Sequence, residues 1–292
     1  MTDTPTPDVE PHPSGTTFGD WVLGLAGLSL LRNWYEVDAS ERRARLIEIA
    51  RDYQHNEVLQ FPVPITEYAA ADGYALWADS YDAPGNPMTA IEHPSMVRRA
   101  QQHFETGAVA LDAGCGTGRL TSELVSIGYE SIGVDVTPQM LAVAEQVVPA
   151  ADFRDGSFER LPVVDDGVDL IVSGLAVCHA DDLHAVFAEF ARALRSGGHL
   201  VMSNPHPFTA SSGGQAFFAH AGGMPFVRNH PHQVGDYVNA LLANDFQVTA
   251  VDEIAYDASS VSTNPAASFW PDVVDGAFLG QPFVLVIEAT RN

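Results

Sequence analysis

The chain has 292 residues, of which 46% are hydrophobic, so it is long enough for one large domain with a substantial core. Its formal net charge is −24, with only 14 lysines and arginines, and this argues against nucleic acid as a partner because phosphate binding needs basic patches. Two cysteines, Cys115 and Cys178, make no disulfide framework and suit a reducing, cytoplasmic environment.

The first part of the chain is predicted to lie outside the main domain. Residues 1–17 are rich in Pro, Thr and acids and are predicted to be disordered. The apolar stretch from Trp21 to Leu31 is too short to span a bilayer and follows an acidic tail, so we expect neither a membrane anchor nor a signal peptide. Residues 18–66 are predicted to form a helical extension, which either packs in a homo-oligomer or caps a substrate pocket.

An aromatic segment and a helix precede the central motif. The segment 67–88 carries Tyr74, Trp77 and Tyr81, and ordinary helix packing is one explanation of these aromatic residues. A helix over about 95–105 is expected to start after Pro94, because proline disrupts a helix interior.

The centre of the chain reads as one βαβ half of a nucleotide-binding fold. An apolar run at 108–111 is followed by Gly114, Gly116 and Gly118, then by a helix from about Arg119 and a second strand that ends at Asp135. An acid at the end of that second strand can accept both ribose hydroxyls of a nucleoside.

The same stretch argues against a ligand with phosphates. Arg119 stands where a dinucleotide fingerprint has its third glycine, and no phosphate-binding GK[ST] motif is present. Asp112, at the carboxyl end of the first strand, would repel a pyrophosphate but suits a cationic ligand. The sequence therefore predicts a nucleoside without phosphates.

The remaining patterns complete an α/β domain at 67–292. Further strands are expected at 151–154, 168–177, 199–203, 246–254 and 283–289, with helices at 183–194 and 232–245 and a turn at 196–198. We predict a Rossmann-like, seven-stranded, mostly parallel sheet with helices on both faces. Segments 204–231 and 255–282 are too long for plain connections and are expected to be acceptor-site insertions.

The motif LDAGCGTG at 111–118, with Asp135 and VTPQML at 136–141, resembles that of class I S-adenosylmethionine (SAM) dependent methyltransferases. The resemblance covers roughly 68–290. A Y-x-x-W-A-x-x-Y-D stretch, from Tyr74 to Asp82, is similar to that of small-molecule methyltransferases of the quinone-biosynthesis type. The resemblance implies SAM as cofactor and S-adenosylhomocysteine as product. The cofactor contacts that we expect are Tyr74, Asp112, Gly114, Gly116, Gly118, Asp135, Val136, Met140, Asp155, Gly156, Ser157, Phe158, Ser173 and Leu175.

The implied activity is methyl transfer to a small acceptor, aromatic or natural-product-like as in secondary metabolism, at O, N or an electron-rich C such as an indole carbon. Three alternatives stay open: a SAM-binding enzyme that catalyses a cyclisation or rearrangement, a metabolite-binding module of the same fold, and a protein-directed methyltransferase. The aromatic, histidine-rich insertions disfavour the third, because they suggest an enclosed pocket. Alignment of the reactants can supply about 7–11 kcal/mol, whereas a general base gives about 10²–10⁴-fold. The protein's first task is therefore to position the acceptor.

The candidate catalytic residues lie beyond the carboxyl ends of the strands or in the aromatic segment. They are His206, which follows the fifth strand in a proline-flanked turn, His179, which follows the fourth strand, and Tyr81. The histidines at 220, 230 and 232 lack the i, i+4 spacing of a helical metal site and an adjoining carboxylate, so no metal is expected.

Overall fold

The computed structural model describes residues 16–36, 38–83 and 86–292. These residues divide into two units. The first contains the described residues before Ala70 together with 216–228 and 257–279. The second contains 70–215, 229–256 and 280–292.

Helices and strands are numbered in chain order. The helices are α1 (Phe18–Arg32), α2 (Ala39–His55), α3 (Glu57–Gln60), α4 (Ala70–Trp77), α5 (Pro87–Gln102), α6 (Arg119–Ile127), α7 (Pro138–Val147), α8 (Leu183–Ala193), α9 (Pro207–Ser211), α10 (Val234–Ala243), α11 (Ala258–Ser262) and α12 (Pro271–Phe278). The strands are β1 (Glu67–Tyr68), β2 (Val109–Ala113), β3 (Glu130–Asp135), β4 (Asp152–Asp155), β5 (Val168–Gly174), β6 (Leu194–Pro205), β7 (Ala216–Phe217), β8 (Phe226–Val227), β9 (Phe246–Ala255) and β10 (Pro282–Arg291).

The second unit is built on a seven-stranded sheet in the order β4-β3-β2-β5-β6-β10-β9. The strands from β4 to β6 are parallel to their neighbours, and β10 runs antiparallel to both β6 and β9. Strand β5 is buried along almost its whole length, as a strand covered on both faces should be. The predicted Rossmann-like, mostly parallel sheet is thus confirmed.

Helices cover both faces of this sheet. Successive residues of a strand point to opposite faces, and accordingly Ala110 and Leu111 of β2 belong to different core clusters. One cluster joins Leu111 to Phe187 of α8 and Tyr237 of α10. The other joins Ala110 to Met96 of α5, among other residues. The carboxyl ends of the parallel strands meet at one edge, and this is where open α/β sheets bind ligands.

Two predicted boundaries were wrong. The helix expected after Pro94 is α5, which begins at Pro87 and contains Pro94 in its interior. Asn86 caps it, since its side chain accepts a hydrogen bond from the Met88 N–H, and packing of α5 against β6 and β10 outweighs the proline. The expected turn at 196–198 is an irregularity within β6, with Gly197 at φ +77°, where the pairing with β5 shifts register.

The first unit is mostly helical. Helix α1 packs against α12, and the guanidinium of Arg32 donates hydrogen bonds to the carbonyl oxygens of Gly276 (3.0 Å) and Ala277 (2.7 Å). This places a positive charge at the C-terminal end of α12, where unpaired carbonyls favour it. A small sheet in the order β1-β8-β7 completes the unit.

The two predicted insertions contribute 216–228 and 257–279 to this first unit, together with the predicted extension at 18–66. Of the tail expected to be disordered, residues 1–15 lie outside the described part of the chain, whereas Thr17 caps α1 by accepting from the Asp20 N–H. Among the helices that the structure describes, none is both long and apolar enough to cross a bilayer.

Candidate active site

The loop between β2 and α6 is shaped by its glycines. The N–H groups of Gly114 and Cys115 both donate to the carbonyl oxygen of Val134, which ties the start of the loop to β3. Gly114 has φ +74°, and a Cβ there would lie 2.6 Å from the Cβ of Ala176. Only glycine permits both this backbone conformation and this close approach.

Asp135 is held in place by the same loop. Its carboxylate accepts hydrogen bonds from the N–H of Gly116 (2.9 Å, Oδ2) and of Thr137 (2.8 Å, Oδ1). Burial raises the pKa of Asp135, and these backbone hydrogen bonds act in the opposite direction. Each carboxylate oxygen can accept more than one hydrogen bond, so both retain capacity for a ligand hydroxyl.

A cavity of about 230 Å³, here called the main cavity, lies at the carboxyl ends of the strands. Twelve of the predicted site residues line it: Tyr74, Tyr81, Gly114, Gly116, Asp135, Val136, Met140, Gly156, Ser157, Phe158, Leu175 and His179. Gly174, which lies between the predicted contacts Ser173 and Leu175, also lines it, and so do six residues that were not predicted: Ala70, Val134, Thr137, Glu159, Ala176 and Ala180. Most of these directly adjoin predicted residues along the chain, and that adjacency is the signal that could have identified them.

Asp112 does not line the main cavity. It is 1% exposed, and Thr121 donates to its Oδ2 at 2.7 Å. Burial raises the pKa of Asp112 to about 6. Its carboxyl belongs instead to a smaller cavity of about 20 Å³, the loop cavity, which Arg119 and the glycine loop also line.

Three further predicted cofactor contacts lie outside the wall of the main cavity. Asp155 pairs in register with Asp135, but it is exposed, and only the residues that follow it line the cavity. Ser173 is fully buried and donates to the Ala113 carbonyl at 2.8 Å, so it joins β5 to β2. Gly118 begins α6 at φ +87°. The structure gives Ser173 and Gly118 structural roles.

Leu175 turns the chain out of β5 and into the main cavity wall. Its φ is +56°, in the left-handed region that non-glycine residues rarely adopt. Its N–H donates to the Ser203 carbonyl of β6 at 2.9 Å, and this bond holds the turn. Leu175, an expected cofactor contact, therefore lines the main cavity in a turn that is hydrogen-bonded to β6.

Three aromatic rings of the segment after β1 form a cluster. Tyr74 stacks on Trp77 with ring centroids 5.8 Å apart and planes 8° from parallel. Tyr81 meets the Trp77 ring edge-on at 5.1 Å. Burial raises the pKa of Tyr74 well above its ordinary value and that of Tyr81 to about 12, so both phenols are protonated at neutral pH.

The Tyr74 hydroxyl lies 2.7 Å from Nε2 of His179, and both residues line the main cavity. They are 105 positions apart in the sequence. His179 follows β5, which lies on the other side of β2 from β3 and Asp135. His179 and Tyr81, two of the three predicted catalytic residues, are thus in the cavity wall.

His206, the third predicted catalytic residue, is not among the described residues that line the main cavity. The Phe208 N–H donates to its Nδ1 at 3.0 Å, so the ring caps the start of α9. Its Nε2 lies 2.8 Å from a carboxylate oxygen of Glu253. Both ring nitrogens are therefore used in structural contacts.

A buried ionic group beside the glycine loop was also missed by the sequence analysis. Glu92 of α5 is fully buried and accepts hydrogen bonds from the guanidinium of Arg119 and the hydroxyl of Ser203. Arg119 also lies 3.0 Å from Nδ1 of His93. No sequence signal separated Glu92 from the exposed acids of other helices.

The histidines considered for a metal have other contacts. His232 Nε2 lies 2.8 Å from the Ala180 carbonyl oxygen, and His230 Nδ1 lies 3.3 Å from a carboxylate oxygen of Asp181. Within residues 16–36, 38–83 and 86–292, no group of three or more potential ligands is arranged to hold a metal ion.

Residues 111–202 match a family model described as a methyltransferase domain. The chain is 36% identical over 156 residues to malonyl-[acyl-carrier protein] O-methyltransferase of Yersinia pestis. This aligned region covers 53% of this chain and 57% of the relative. It is 32% identical over 108 residues to demethylmenaquinone methyltransferase of Chlorobaculum parvum. This aligned region covers 37% of this chain and 45% of the relative.

Among solved structures, an S-adenosylmethionine dependent methyltransferase from Mesorhizobium loti superposes with a TM-score of 0.53 at 24% identity. The match covers 69% of this chain and 98% of that one. This likeness shows the fold. The chain spans little more than half the length of the first of the curated relatives and less than half that of the second.

Proposed function

We propose that this chain, whose residues 111–202 match the model of a methyltransferase domain, binds SAM in the main cavity and transfers its methyl group to a small molecule. The observation that carries the proposal is the position of Asp135. Two backbone N–H groups fix its carboxylate in the wall of a cavity that the glycine loop also lines. The two hydroxyl groups of a ribose can both donate hydrogen bonds to one carboxylate placed in this way.

The residues of the cavity fit this cofactor. Phe158 lines the cavity beyond β4, where an apolar side chain can flank an adenine ring. The rings of Tyr74 and Tyr81 provide π faces, which attract a cation by about 0.5–2 kcal/mol. When bound, SAM supplies an activated methyl carbon on a sulfonium sulfur. The protein binds and orients both reactants and excludes water.

The acceptor class is open between two alternatives. The name of the Yersinia relative describes methylation of a malonyl group on a carrier protein, which favours a carboxylate acceptor. The name of the Chlorobaculum relative describes methylation of demethylmenaquinone, which favours a ring compound. We propose a small aromatic or natural-product acceptor of secondary metabolism, because aromatic side chains gather at the main cavity.

The cellular setting and the assembly are also proposals. Cys115 and Cys178 are both buried and free, and this suits a reducing cytoplasm. Association of copies through the N-terminal helices stays a prediction, and so does the role of these helices as a cap.

The proposal is tested by incubating the purified chain with methyl-labelled SAM and a panel of small acceptors. Label in a small product supports methyl transfer, and the structure of the product identifies the methylated atom. Tight SAM binding with an acceptor that is rearranged but unlabelled would favour the non-methylating enzyme. Binding of a metabolite without any turnover would favour the binding module. Failure to bind SAM, measured by calorimetry, would contradict the proposal.

A further inference from the structure

Tyr74 and His179 form a hydrogen-bonded pair of titratable side chains in the wall of the main cavity. The distance from Tyr74 Oη to His179 Nε2 is 2.7 Å. The Tyr74 ring is stacked on Trp77 and meets the His179 ring edge-on, with centroids 5.4 Å apart. Aromatic contacts on two sides limit rotation of the Tyr74 ring, so its hydroxyl keeps a fixed position.

We propose that Tyr74 and His179 form a proton relay for an acceptor that carries a neutral O–H or N–H group. This inference rests on the methyl transfer proposed above and specifies the class of acceptor and the path of its proton. Tyr74 is the residue that contacts the acceptor, and His179 is the final proton acceptor.

The relay follows from the bonding capacity of a phenol. A hydroxyl has one hydrogen to donate and two lone pairs that accept. In the His179 tautomer whose Nε2 carries no proton, which the relay requires, the Tyr74 hydroxyl donates to Nε2, and the lone pairs on Oη are available to the X–H group of an acceptor in the cavity. Neutral imidazole is a suitable proton acceptor near neutral pH.

The atoms balance as follows. A bond forms between the acceptor atom X and the methyl carbon while the bond from that carbon to the sulfonium sulfur breaks. The sulfur keeps the electron pair of the broken bond and becomes a neutral thioether. The hydrogen of X–H passes to Tyr74 Oη, and the Tyr74 hydrogen passes to His179 Nε2. The positive charge of the sulfonium is thereby exchanged for an imidazolium.

The surroundings of Tyr74 favour a relay over a resting phenolate. Burial raises its pKa well above the ordinary value, and the nearby ionisable groups of Tyr81, Cys178 and Asp135 raise it further. A phenolate would therefore be a poor resting state. A phenol that gains one proton as it loses another never has to carry this charge.

The charges at the cavity favour a neutral acceptor over a carboxylate. Its described wall contains the carboxyl groups of Asp135 and Glu159 and no arginine. Arg119 lines the loop cavity instead and is paired with Glu92. The net charge of −24 gives the whole molecule a field that repels anions. An acceptor carboxylate would thus meet charges of its own sign, and it has no proton for the relay to remove.

The first experiment asks what kind of bond the transferred methyl group forms. The full chain is incubated with methyl-labelled SAM and a panel of phenols, alcohols, N–H heterocycles and carboxylic acids of similar size. The products are then treated with mild alkali, which releases methanol from esters but leaves ethers and N-methyl compounds intact. Label that resists alkali supports the inference. Label released as methanol overturns the inference while leaving the proposed methyl transfer standing.

The second experiment tests the two residues with matched controls. Tyr74→Phe removes only the hydroxyl, and His179→Gln keeps a hydrogen-bonding side chain that cannot take a proton. General acid–base groups contribute about 10²–10⁴-fold, so we expect each variant to lower kcat by about 10²-fold or more. The kcat of the double variant should be no lower than that of the less active single variant, because the loss of either residue already disables the relay.

The controls separate a chemical role from a structural one. Tyr129→Phe removes a buried hydroxyl that donates to the Ala100 carbonyl at 2.8 Å, away from the main cavity. His184→Gln removes an exposed histidine of α8. Both should keep the kcat of the unmodified chain, and all variants should keep its affinity for SAM in calorimetry.

Two further readouts do not depend on the size of the rate loss. In the unmodified chain, kcat/KM should rise with pH through the titration of one histidine, and this limb should vanish in His179→Gln. In Tyr74→Phe, the nitrogen NMR signal of His179 Nε2 should shift, because its hydrogen-bond donor is gone. If either variant keeps both the rate and the pH profile while binding SAM normally, the relay is refuted.

Discussion

Asp135 carries the largest predicted effect of a single residue on cofactor affinity. Asp135→Ala removes a charged acceptor, and a hydrogen bond to a charged group contributes about 1.5–3 kcal/mol. We therefore expect the Kd for SAM, measured by calorimetry, to rise about 10- to 100-fold. Because Asp135 also accepts from Gly116 and Thr137, the thermal midpoint should be recorded alongside.

A suitable control is Glu130→Gln, which changes an exposed acid at the other end of β3. It should leave the Kd unchanged. If Asp135→Ala binds SAM as tightly as the unmodified chain, its carboxylate does not hold the ribose.

The raised pKa of Asp112 predicts that the stability of the folded chain depends on pH. Its pKa is raised to about 6 in the folded chain from an ordinary value of 3.8, so the folded state binds more protons than the unfolded state between these values. The free energy of unfolding therefore falls as pH rises through this window, by about 3 kcal/mol from this group. Asp112→Asn removes the ionisation and can still accept from Thr121.

We expect Asp112→Asn to be more stable than the unmodified chain at pH 7 and closest to it near pH 4. Urea unfolding of both proteins at several pH values measures the difference. A difference that does not change with pH would show that Asp112 has an ordinary pKa in the folded chain.

For single residues, the sequence was informative where the role of a residue depends on its near neighbours along the chain. Asp135 and the glycines were found because a strand, a tight loop and a paired acceptor must follow each other closely along the chain. The contacts of the His206 ring nitrogens with α9 and Glu253 could not be predicted, because only the fold brings these groups together. The pairing of Tyr74 with His179 joins residues 105 positions apart, so spacing alone could not indicate it.

Helix α5 is linked to the glycine loop through a buried charge. Glu92 accepts from Arg119, the first residue of α6, and from Ser203 of β6. Removing one partner of a buried ion pair costs about 3–5 kcal/mol. We therefore expect Glu92→Ala to lower the free energy of unfolding by an amount near the lower end of this range, because the Arg119 side chain is 25% exposed.

Urea unfolding tests this expectation, with Glu105→Gln as the control, since Glu105 is exposed just after α5. The control should change the free energy of unfolding by less than about 0.5 kcal/mol. Equal stability of Glu92→Ala and the unmodified chain would show that the buried pair contributes nothing net.

Elements with a strong apolar pattern were predicted well, and those fixed by packing were not. Strand β3 ends at Asp135 and strand β5 begins at Val168, as expected, because buried strands appear in the sequence as short apolar runs. The start of α5 was missed because a proline at position 94 is unfavourable inside an isolated helix, whereas α5 packs against the sheet and α6.

The whole molecule is strongly acidic, with 38 aspartates and glutamates against 14 lysines and arginines. Self-repulsion of this kind destabilises a folded chain, and salt screens it. Raising NaCl from about 10 mM to about 150 mM shortens the Debye length from about 30 to about 8 Å. We expect the thermal midpoint to rise over this range.

The control is the thermal midpoint in a series of sucrose concentrations. Sucrose carries no charge, so it cannot screen the repulsion, and any rise that it causes reflects the exclusion of solutes from the protein surface. A thermal midpoint that falls with salt would mean that ion pairs such as Arg192 with Asp165 outweigh the net repulsion.

The first unit is built from segments that are far apart in the chain, and this affects when it can fold during translation. Arg32 of α1 reaches its carbonyl partner Ala277 only after another 245 residues have been synthesised. Domains whose contacts are local can fold while the chain is still growing, but this unit also needs 216–228 and 257–279. The face of α1 that packs against α12 therefore stays uncovered until residues 257–279 have left the exit tunnel.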